Sequence, residues 1–239
     1  MRAAAFIATF VVGVPVLLTG CASSDDPKND NQVAGKVAFV KNCGSCHVLA
    51  RAGTKGTTGP NLDEAFQQAL KDGFGRDAIR GMVQEQILYP NMNGVMPAKI
   101  VEGETATDVA AYVADAVAAK GKDTGLLADA VKPAGAGKPI AAQNGVLATE
   151  ADPNGQLAYV ASKATAPPGA LEVTFKNTSG TPHDIAFQEG TNGAQLAKTE
   201  VITKGEDKTD IDVKAGTYTF FCTVPGHRAA GMVGTLTVK

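Results

Sequence analysis

The arrangement of apolar and polar positions changes several times along the 239-residue chain. A mostly apolar run without charged residues covers residues 3–18, and a polar stretch without periodicity follows it to about residue 32. Apolar residues at helical spacing then recur within residues 33–120. After a stretch rich in Gly, Pro and Lys, short runs alternate polar with apolar side chains up to the carboxyl terminus. The pattern predicts an α-helical domain followed by a β-rich domain.

The amino terminus has the pattern of an export signal. Arg2 precedes the apolar run, which is brief for a membrane span, and Leu18-Thr19-Gly20-Cys21 ends it with small residues. These four residues resemble the lipobox of bacterial lipoproteins, in which the Cys begins the mature chain and carries the lipid. We therefore expect a signal peptide at 1–20, lipidation of Cys21 and a flexible tether at 21–32. Ordinary secretion, with Cys21 as a spare thiol, stays an alternative.

Residues 33–120 contain the pattern for covalent attachment of a haem. Cys43-Gly44-Ser45-Cys46-His47 places two thiols three positions apart, with a His directly after the second. Both thiols can then reach the vinyl groups of one haem, and the imidazole of His47 lies beneath the iron. A thioredoxin-like redox pair or half of a zinc site would also use two Cys. However, no second Cys pair and no Pro or Trp context accompany this one.

Around this motif the chain resembles a small class I cytochrome c, which has an all-α fold. The resemblance rests on a helical segment at 35–42, the motif itself, Gly59-Pro60-Asn61-Leu62, Met96-Pro97 and a second helical segment at 107–114. It implies that Gly35 and Phe39 meet Tyr112 where the first and last helices cross. It also implies that the carbonyl oxygen of Pro60 orients the ring of His47.

The second axial ligand of the iron is expected to be a methionine. Met96 is the best match to the family's loop, because the Pro that follows keeps it out of a helix. Met92 and Met82 stay alternatives, although the sequence around Met82 predicts a core helix. With His and Met both on the iron, no position is left for a substrate, so such a site would transfer electrons.

The carboxyl-terminal part is predicted to be an antiparallel sandwich over 150–239, joined to the haem domain by a linker at 121–149 with one short helical turn at 126–131. The predicted strands are 157–160, 171–175, 184–187, 198–202, 209–213, 217–221 and 234–238. Cys222, His227 and Met232 lie on one loop between the last two of these strands, and His183 follows a distant turn. Two imidazoles, a thiolate and a weakly bound thioether are the ligands of a blue-copper site.

Residues 150–239 resemble cupredoxins, and the loop spacing is most similar to that of auracyanins. Four residues separate Cys222 from His227, and four more precede Met232. The resemblance implies an all-β Greek-key sandwich that binds one type 1 copper through His183, Cys222, His227 and Met232. In this family the edge of the second loop His is an exposed port for electrons, which here would be His227, with Val224, Pro225, Ala229 and Ala230 around it.

Two further residues would support the copper ligands. Asn177, in Phe175-Lys176-Asn177, matches a family position upstream of the first copper His. Plastocyanins place an Asn directly after that His, whereas this chain has Asp184. The family's Asn tethers two loops by a hydrogen bond, so Asp184 either accepts the equivalent bond or faces water.

The net charge and the expected cofactors together limit the functions that the chain could have. The net charge is −2, with 12 acidic and 10 basic residues in 21–120 and 12 and 11 in 121–239. Neither part is basic, which argues against a nucleic-acid partner. One covalent haem c and one copper on a flexibly linked chain predict an electron carrier, not an enzyme. We expect it to be lipid-anchored to the cell membrane, facing the periplasm or the cell exterior.

The expected partners are redox proteins of respiration or photosynthesis, such as a terminal oxidase, a reductase or a quinol-oxidising complex. A copper nitrite reductase would need a second copper with three further His, but the three His of the chain are already assigned. An oxidase subunit with binuclear copper would need two Cys in the cupredoxin loop, where only Cys222 occurs. A copper-handling lipoprotein, or an accessory subunit of a reductase or oxidase, stays an alternative.

Overall fold

The computed structural model describes residues 30–239, so the predicted signal peptide, Cys21 and most of the tether lie outside the described residues. The tether was expected to extend to residue 32, but structure begins earlier. Asn31 caps the first helix by accepting a hydrogen bond from the Ala34 amide at 3.0 Å. Asp30 forms an ion pair with Arg80 at 2.7 Å. Among the described residues, no helix combines the length and hydropathy that a membrane crossing requires.

The amino-terminal domain is mainly helical. Its helices are α1 (Gln32–Asn42), α2 (Leu62–Ala65), α3 (Gln67–Lys71), α4 (Arg76–Leu88) and α5 (Gly103–Ala116). A small hairpin of β1 (Val48–Leu49) and β2 (Thr54–Lys55) interrupts the expected all-α pattern. Each strand of this hairpin has two residues, so it modifies the helical fold only locally.

The first and last helices of this domain cross at a glycine. A Cβ atom placed on Gly35 would lie 2.2 Å from the carbonyl oxygen of Asp108 and 3.0 Å from Cβ of Tyr112. Only Gly allows the two backbones to approach this closely. The rings of Phe39 and Tyr112 pack beside the crossing with their centroids 6.3 Å apart. This confirms the crossing that the resemblance to class I cytochromes c implies.

A buried cluster of charges lies where α5 leads into the predicted linker. The carboxylate of Asp123 is 3.0 Å from Nζ of Lys36 and 2.6 Å from Nη2 of Arg51. The hydroxyl of Tyr112 donates a hydrogen bond to it at 3.1 Å. Burial raises the pKa of Asp123, but its bonds with Lys36 and Tyr112 and the nearby positive charges outweigh burial and hold that pKa below its usual value. The linker is thereby attached to the haem domain at its first residues.

The remainder of the predicted linker also makes defined contacts. It contains the short helix α6 (Leu126–Asp129) and the strand β3 (Ile140–Ala141), and the Gly137 amide donates to the Val160 carbonyl at 2.8 Å. A Cβ atom on Gly137 would lie 2.2 Å from that carbonyl oxygen. The glycine therefore permits a close approach of two backbones. Residues 121–149 are not an irregular linker throughout, which corrects the expectation of a freely flexible one.

The carboxyl-terminal domain is a β-sandwich. After β3, its strands are β4 (Val146–Glu150), β5 (Lys163–Ala166), β6 (Gly169–Asn177), β7 (Ala186–Glu189), β8 (Gln195–Lys198), β9 (Gly205–Val213), β10 (Gly216–Phe221) and β11 (Val233–Val238). One sheet has the order β3-β5-β11-β10-β7-β8 and the other β4-β6-β9. The core between them contains the buried rings of Tyr159, Phe175, Phe187 and Phe220.

The sandwich confirms the predicted fold class, but its sheets are mixed and not purely antiparallel, because β5 pairs in parallel with β11 and β4 pairs in parallel with β6. The strand boundaries also differ locally. The predicted strand at 157–160 is not a strand, although Tyr159 forms an isolated bridge with Ala151. A strand was predicted at 198–202, but the observed strand β8 lies before this range and ends at Lys198. β4 begins within the predicted linker, and β5 was not predicted.

Candidate functional site

The helical domain contains an apolar cavity of about 510 Å³. Cys43, Cys46 and His47, which follow the end of α1, line it together with Met96. Its apolar walls are formed by Phe39, Leu62, Phe66, Val83, Ile87, Val109 and Val113. Its volume lies within the range of cofactor pockets, and its lining combines apolar walls with few polar groups. The attachment motif and the cavity therefore fit one haem.

The ring of His47 is oriented by the loop at residues 59–60. Nδ1 of His47 is 2.9 Å from the carbonyl oxygen of Pro60. A carbonyl oxygen can only accept, so this contact requires the proton on Nδ1 and leaves Nε2 free to bind a metal. A Cβ atom on Gly59 would lie 2.5 Å from Cε1 of His47. The loop thus packs directly against the imidazole ring, and the structure places Pro60 as the resemblance to class I cytochromes c implies.

The two cysteines of the motif form no disulfide, and Cys43 is buried whereas Cys46 is partly exposed. Burial, and to a smaller extent the neighbouring Cys46, raises the pKa of Cys43 to about 12. Cys43 is therefore protonated at neutral pH. Within residues 30–239, no third His, Cys, Asp or Glu ligand atom lies close enough to this pair to complete a metal site, so the structure does not support zinc binding here.

The structure distinguishes the three candidate methionines. Met96 lines the haem cavity, whereas the side chain of Met92 is 98% exposed. Met82 lies on α4 but is 41% exposed. The expectation that Met82 belongs to a core helix is therefore wrong about its burial, although the helix itself is present. Of the three, Met96 is the one that lines the cavity, as an axial ligand would.

We expect Met96→Ala to remove one axial ligand and Met92→Ala to have no effect on ligation. The haem iron of Met96→Ala should then bind added carbon monoxide readily, because its sixth position is open. Optical titration of the reduced protein with carbon monoxide measures this difference. Carbon monoxide binding by Met92→Ala, with none by Met96→Ala, would assign the ligand to Met92.

Three potential ligand atoms meet inside the sandwich. Nδ1 of His183 is 3.1 Å from Nδ1 of His227, and Sγ of Cys222 is 3.9 Å and 3.5 Å from these two nitrogens. All three residues are buried, and within residues 30–239 they form the one group of side chains close enough together to bind a metal. His227 is 9% exposed, which corrects the expectation of an exposed edge at this residue. One soft sulfur and two imidazole nitrogens at this separation form the equatorial ligand set that suits copper.

The buried position of these three residues changes the pKa values of their side chains. Burial, and then the neighbouring His227, lowers the pKa of His183 to about 4, and burial also lowers the pKa of His227. Both imidazoles are therefore neutral at neutral pH and able to act as ligands. Burial raises the pKa of Cys222 to about 12, so the thiolate needs a bound cation to form.

The loop between β10 and β11 holds three of the predicted ligands. The Cys222 amide donates to the Met232 carbonyl at 3.2 Å, and the Met232 amide donates to the His227 carbonyl at 2.9 Å. Between them lies the one-turn helix α7 (His227–Ala230). Met232 is fully buried, as an axial thioether would be. The loop is therefore closed by its own backbone hydrogen bonds.

His183 is held from the opposite side of the site. Its backbone exchanges two hydrogen bonds with Ile202, at 3.0 and 2.9 Å. The side-chain amide of Asn177 donates to the Ile202 carbonyl at 2.6 Å and to the Thr181 carbonyl at 2.8 Å. Asn177 is fully buried, so these bonds hold both the partner of His183 and the turn that precedes it.

Asp184 connects the two sides. Its Oδ1 accepts a hydrogen bond from the Thr223 amide at 2.7 Å, and its Oδ2 accepts one from the Thr223 hydroxyl. The side chain is fully buried, so of the two alternatives left by the sequence, the structure shows the acceptor. The sequence gives no local signal for two further supporting residues, Thr223 and Tyr159. The hydroxyl of Tyr159, which lies 25 residues from Asp184 along the chain, donates to the Asp184 carbonyl at 2.8 Å.

Comparison with known proteins decides the family. The family model described as copper binding proteins, plastocyanin/azurin family, matches residues 146–239. Plastocyanin of Sambucus nigra is 36% identical over 94 residues, which are 36% of this chain and 92% of that protein. The chain belongs to the plastocyanin/azurin family. A chloroplastic plastocyanin of Silene latifolia subsp. alba is 31% identical over 163 residues, covering 64% of this chain and 94% of that protein.

The haem domain has a match of its own beside the plastocyanin/azurin domain. The cytochrome c family model matches residues 32–116. Among solved structures, reduced auracyanin of Roseiflexus castenholzii is 27% identical, with a TM-score of 0.37, over 41% of this chain and 99% of that one. The two family matches imply one covalent haem c and one type 1 copper, and both families are electron carriers.

Proposed function

We propose that this protein is a membrane-anchored, extracytoplasmic carrier that relays single electrons between its haem and its copper and on to a redox partner. One observation carries the proposal. A single chain contains a haem cavity lined by His47 and Met96 and, separately, the convergent set of His183, Cys222 and His227 beside the buried Met232. Haem iron and copper in such sites each supply one reversible electron.

The use of histidine supports a carrier over an enzyme. The chain has three His, and all of them belong to these two sites. A copper site that binds and reduces a substrate would need imidazole ligands of its own, and none is left to supply them. Both sets of protein ligands also include a methionine, which fills a position that a substrate would need.

The proposed location and partners rest on the sequence and on the surface of the haem domain. A lipid on Cys21 would keep the carrier at the membrane, where a terminal oxidase, a reductase or a quinol-oxidising complex could exchange electrons with it. Near the haem cavity the side chains of Tyr89, Met92 and Val95 are 71%, 98% and 79% exposed. Apolar groups exposed at such a position favour brief docking that depends little on charge.

Stepwise reduction of the mature protein, loaded with haem and copper, tests the proposal. The oxidised protein should show an intense blue band from the bond between Cys222 and copper. Slow one-electron titration should bleach this band and raise the reduced haem band, with one electron taken up at each site. Cys222→Ser is the matched control, because it should lose the blue band and keep the haem band. If the blue band never forms while the haem is intact, the relay is excluded.

A further inference from the structure

The copper loop, defined here as residues 222–232, lies against the haem domain. It faces residues 53–59, which follow the attachment motif and are named the haem-side segment here. A Cβ atom on Gly226 would lie 3.4 Å from Oγ1 of Thr57, and one on Gly231 would lie 3.8 Å from Nζ of Lys55. A cleft of about 130 Å³ is lined by both segments, including Thr54 from one and Ala230 from the other.

A second contact brings the copper domain to the helix that carries the haem thiols. Gly155 is buried, with a φ of 75°, and a Cβ atom on it would lie 2.5 Å from the carbonyl oxygen of Lys41. Lys41 lies in the last turn of α1, two residues before Cys43. The backbones of the two domains therefore meet directly, at a position where only Gly allows such an approach.

The haem-side segment also touches the haem ligands. A Cβ atom on Gly56 would lie 2.5 Å from the backbone nitrogen of Cys46, and Gly59 packs against the ring of His47. The same short segment thus contacts the attachment motif from within the haem domain and, through Thr57, meets Gly226 beside the copper ligand His227. Protein contacts continue from one set of ligands to the other.

The chain between the domains is attached at both ends. At its start, Asp123 is buried between Lys36 and Arg51 of the haem domain. Toward its end, the hydroxyl of Ser162 donates to the Gly135 carbonyl at 3.2 Å, and β3 pairs with β5 of the copper domain. A segment bound to both domains limits how far they can separate.

We propose that the copper loop and the haem-side segment form a permanent internal docking surface, across which electrons pass without a swing of the copper domain. The inference rests on the proposed function. In each transfer toward the haem, cuprous copper loses one electron and becomes cupric, and ferric haem gains it and becomes ferrous. No proton or co-reactant takes part. Each of these contacts has a glycine on the copper side, and at Gly155 the absence of a side chain lets the two backbones approach closely.

Two glycine substitutions in the loaded protein test this surface. Gly155→Asn introduces a side chain against the Lys41 carbonyl. Gly145→Asn is the matched control, because Gly145 has a similar φ of 79° and its added Cβ would meet nothing within 4 Å. Asn tolerates this left-handed conformation better than most residues, so the two variants differ mainly in the space available. Small-angle X-ray scattering measures the separation of the domains, and flash photolysis measures electron exchange between the centres.

We expect the unmodified protein and Gly145→Asn to scatter as one compact body. Their exchange rate should be independent of protein concentration and of viscosity raised with sucrose. Gly155→Asn should have a larger maximum dimension and exchange at least tenfold more slowly. The viscosity series on the unmodified protein tests the surface even if Gly155→Asn does not fold.

The outcomes separate the two proposals. An exchange rate of the unmodified protein that falls in proportion to viscosity would overturn the permanent surface and leave the relay intact. Unchanged scattering and exchange in a folded Gly155→Asn would overturn the surface as well. If two intact centres exchange no electrons at any viscosity, the relay fails, and the internal docking surface fails with it.

Discussion

Replacement of Asp123 by Asn should lower the free energy of unfolding of the haem domain by about 3 kcal/mol, within the range for breaking a buried ion pair from one side. Asn keeps the shape of the side chain but leaves Lys36 and Arg51 without their counter-charge. The cost falls mainly on Lys36, whose side chain is 7% exposed, because Arg51 is 23% exposed and water can solvate it in part. Urea denaturation of the loaded protein, followed by circular dichroism of the helices, measures the change.

The pH dependence of stability provides a second readout of the same variant. The pKa of Asp123 is lowered on folding. Its contribution to the free energy of unfolding is therefore complete at pH values well above 3.8, the pKa in the unfolded chain. The contribution is lost as the pH falls through the lower, folded pKa. The difference in free energy of unfolding between the parent protein and Asp123→Asn should therefore be largest at neutral pH and decrease in acid. Asp129→Asn, which changes an exposed carboxylate in α6, is the control, and a loss of stability equal in both variants would contradict the prediction.

Replacement of Asp184 by Asn should raise the reduction potential of the copper. A carboxylate near the metal favours the more positive oxidised state, and Asp184 is fully buried beside His183. One buried unit charge this close to the ligands is worth on the order of 2 kcal/mol at the effective dielectric constant of protein interiors. For a one-electron couple this corresponds to roughly 90 mV, at 59 mV per tenfold change. Potentiometric titration of the blue band measures the shift.

The hydrogen bonds between residue 184 and Thr223 should survive this substitution, so Asp184→Asn tests the effect of the charge alone. The oxygen of Asn can accept from the Thr223 amide, and its NH₂ group can donate to the Thr223 hydroxyl. Thr223→Val is the complementary variant, because it keeps the carboxylate and removes one donor to it. The negative charge is then less compensated, so the potential should move in the opposite direction. An unchanged potential in Asp184→Asn would remove this carboxylate from the control of the copper.

The residues of both sites could be proposed from the sequence because most of them lie close together along the chain. Cys43, Cys46 and His47 occupy one turn, and their order together with the segments around them indicates the chemistry. The copper loop likewise presents Cys222, His227 and Met232 within eleven residues. In such segments the backbone brings the ligands together locally, and little depends on distant contacts.

The features that the sequence did not reveal depend on distant partners. Asp123 meets Lys36 from 87 positions away, and no periodic pattern marks that pairing. Gly137 was attributed to a flexible linker, although its lack of a side chain permits close packing against Val160. An abundance of glycine does not separate these two roles, because they differ only in what lies nearby.

Met82 shows a different limit of sequence analysis, because its helix was predicted correctly and its burial was not. It precedes Val83 by one position, a rotation of about 100° around the helix. Ile79, Val83 and Ile87 form the apolar face of α4 that packs into the domain, so this rotation turns Met82 toward solvent. A hydrophobic residue at the border of a helical face does not reveal from the sequence on which side it lies.

The short strand β3 has a consequence for the solution behaviour of the copper domain. It forms one edge of the six-stranded sheet and pairs in parallel with β5 through Ile140 and Ala141. A copper domain cut off before residue 146 would lack β3, and one side of β5 would present unpaired amide and carbonyl groups. Such a bare edge is a template for pairing with a second molecule. By pairing with β5, the segment that joins the domains therefore also reduces the tendency of the sandwich to self-associate.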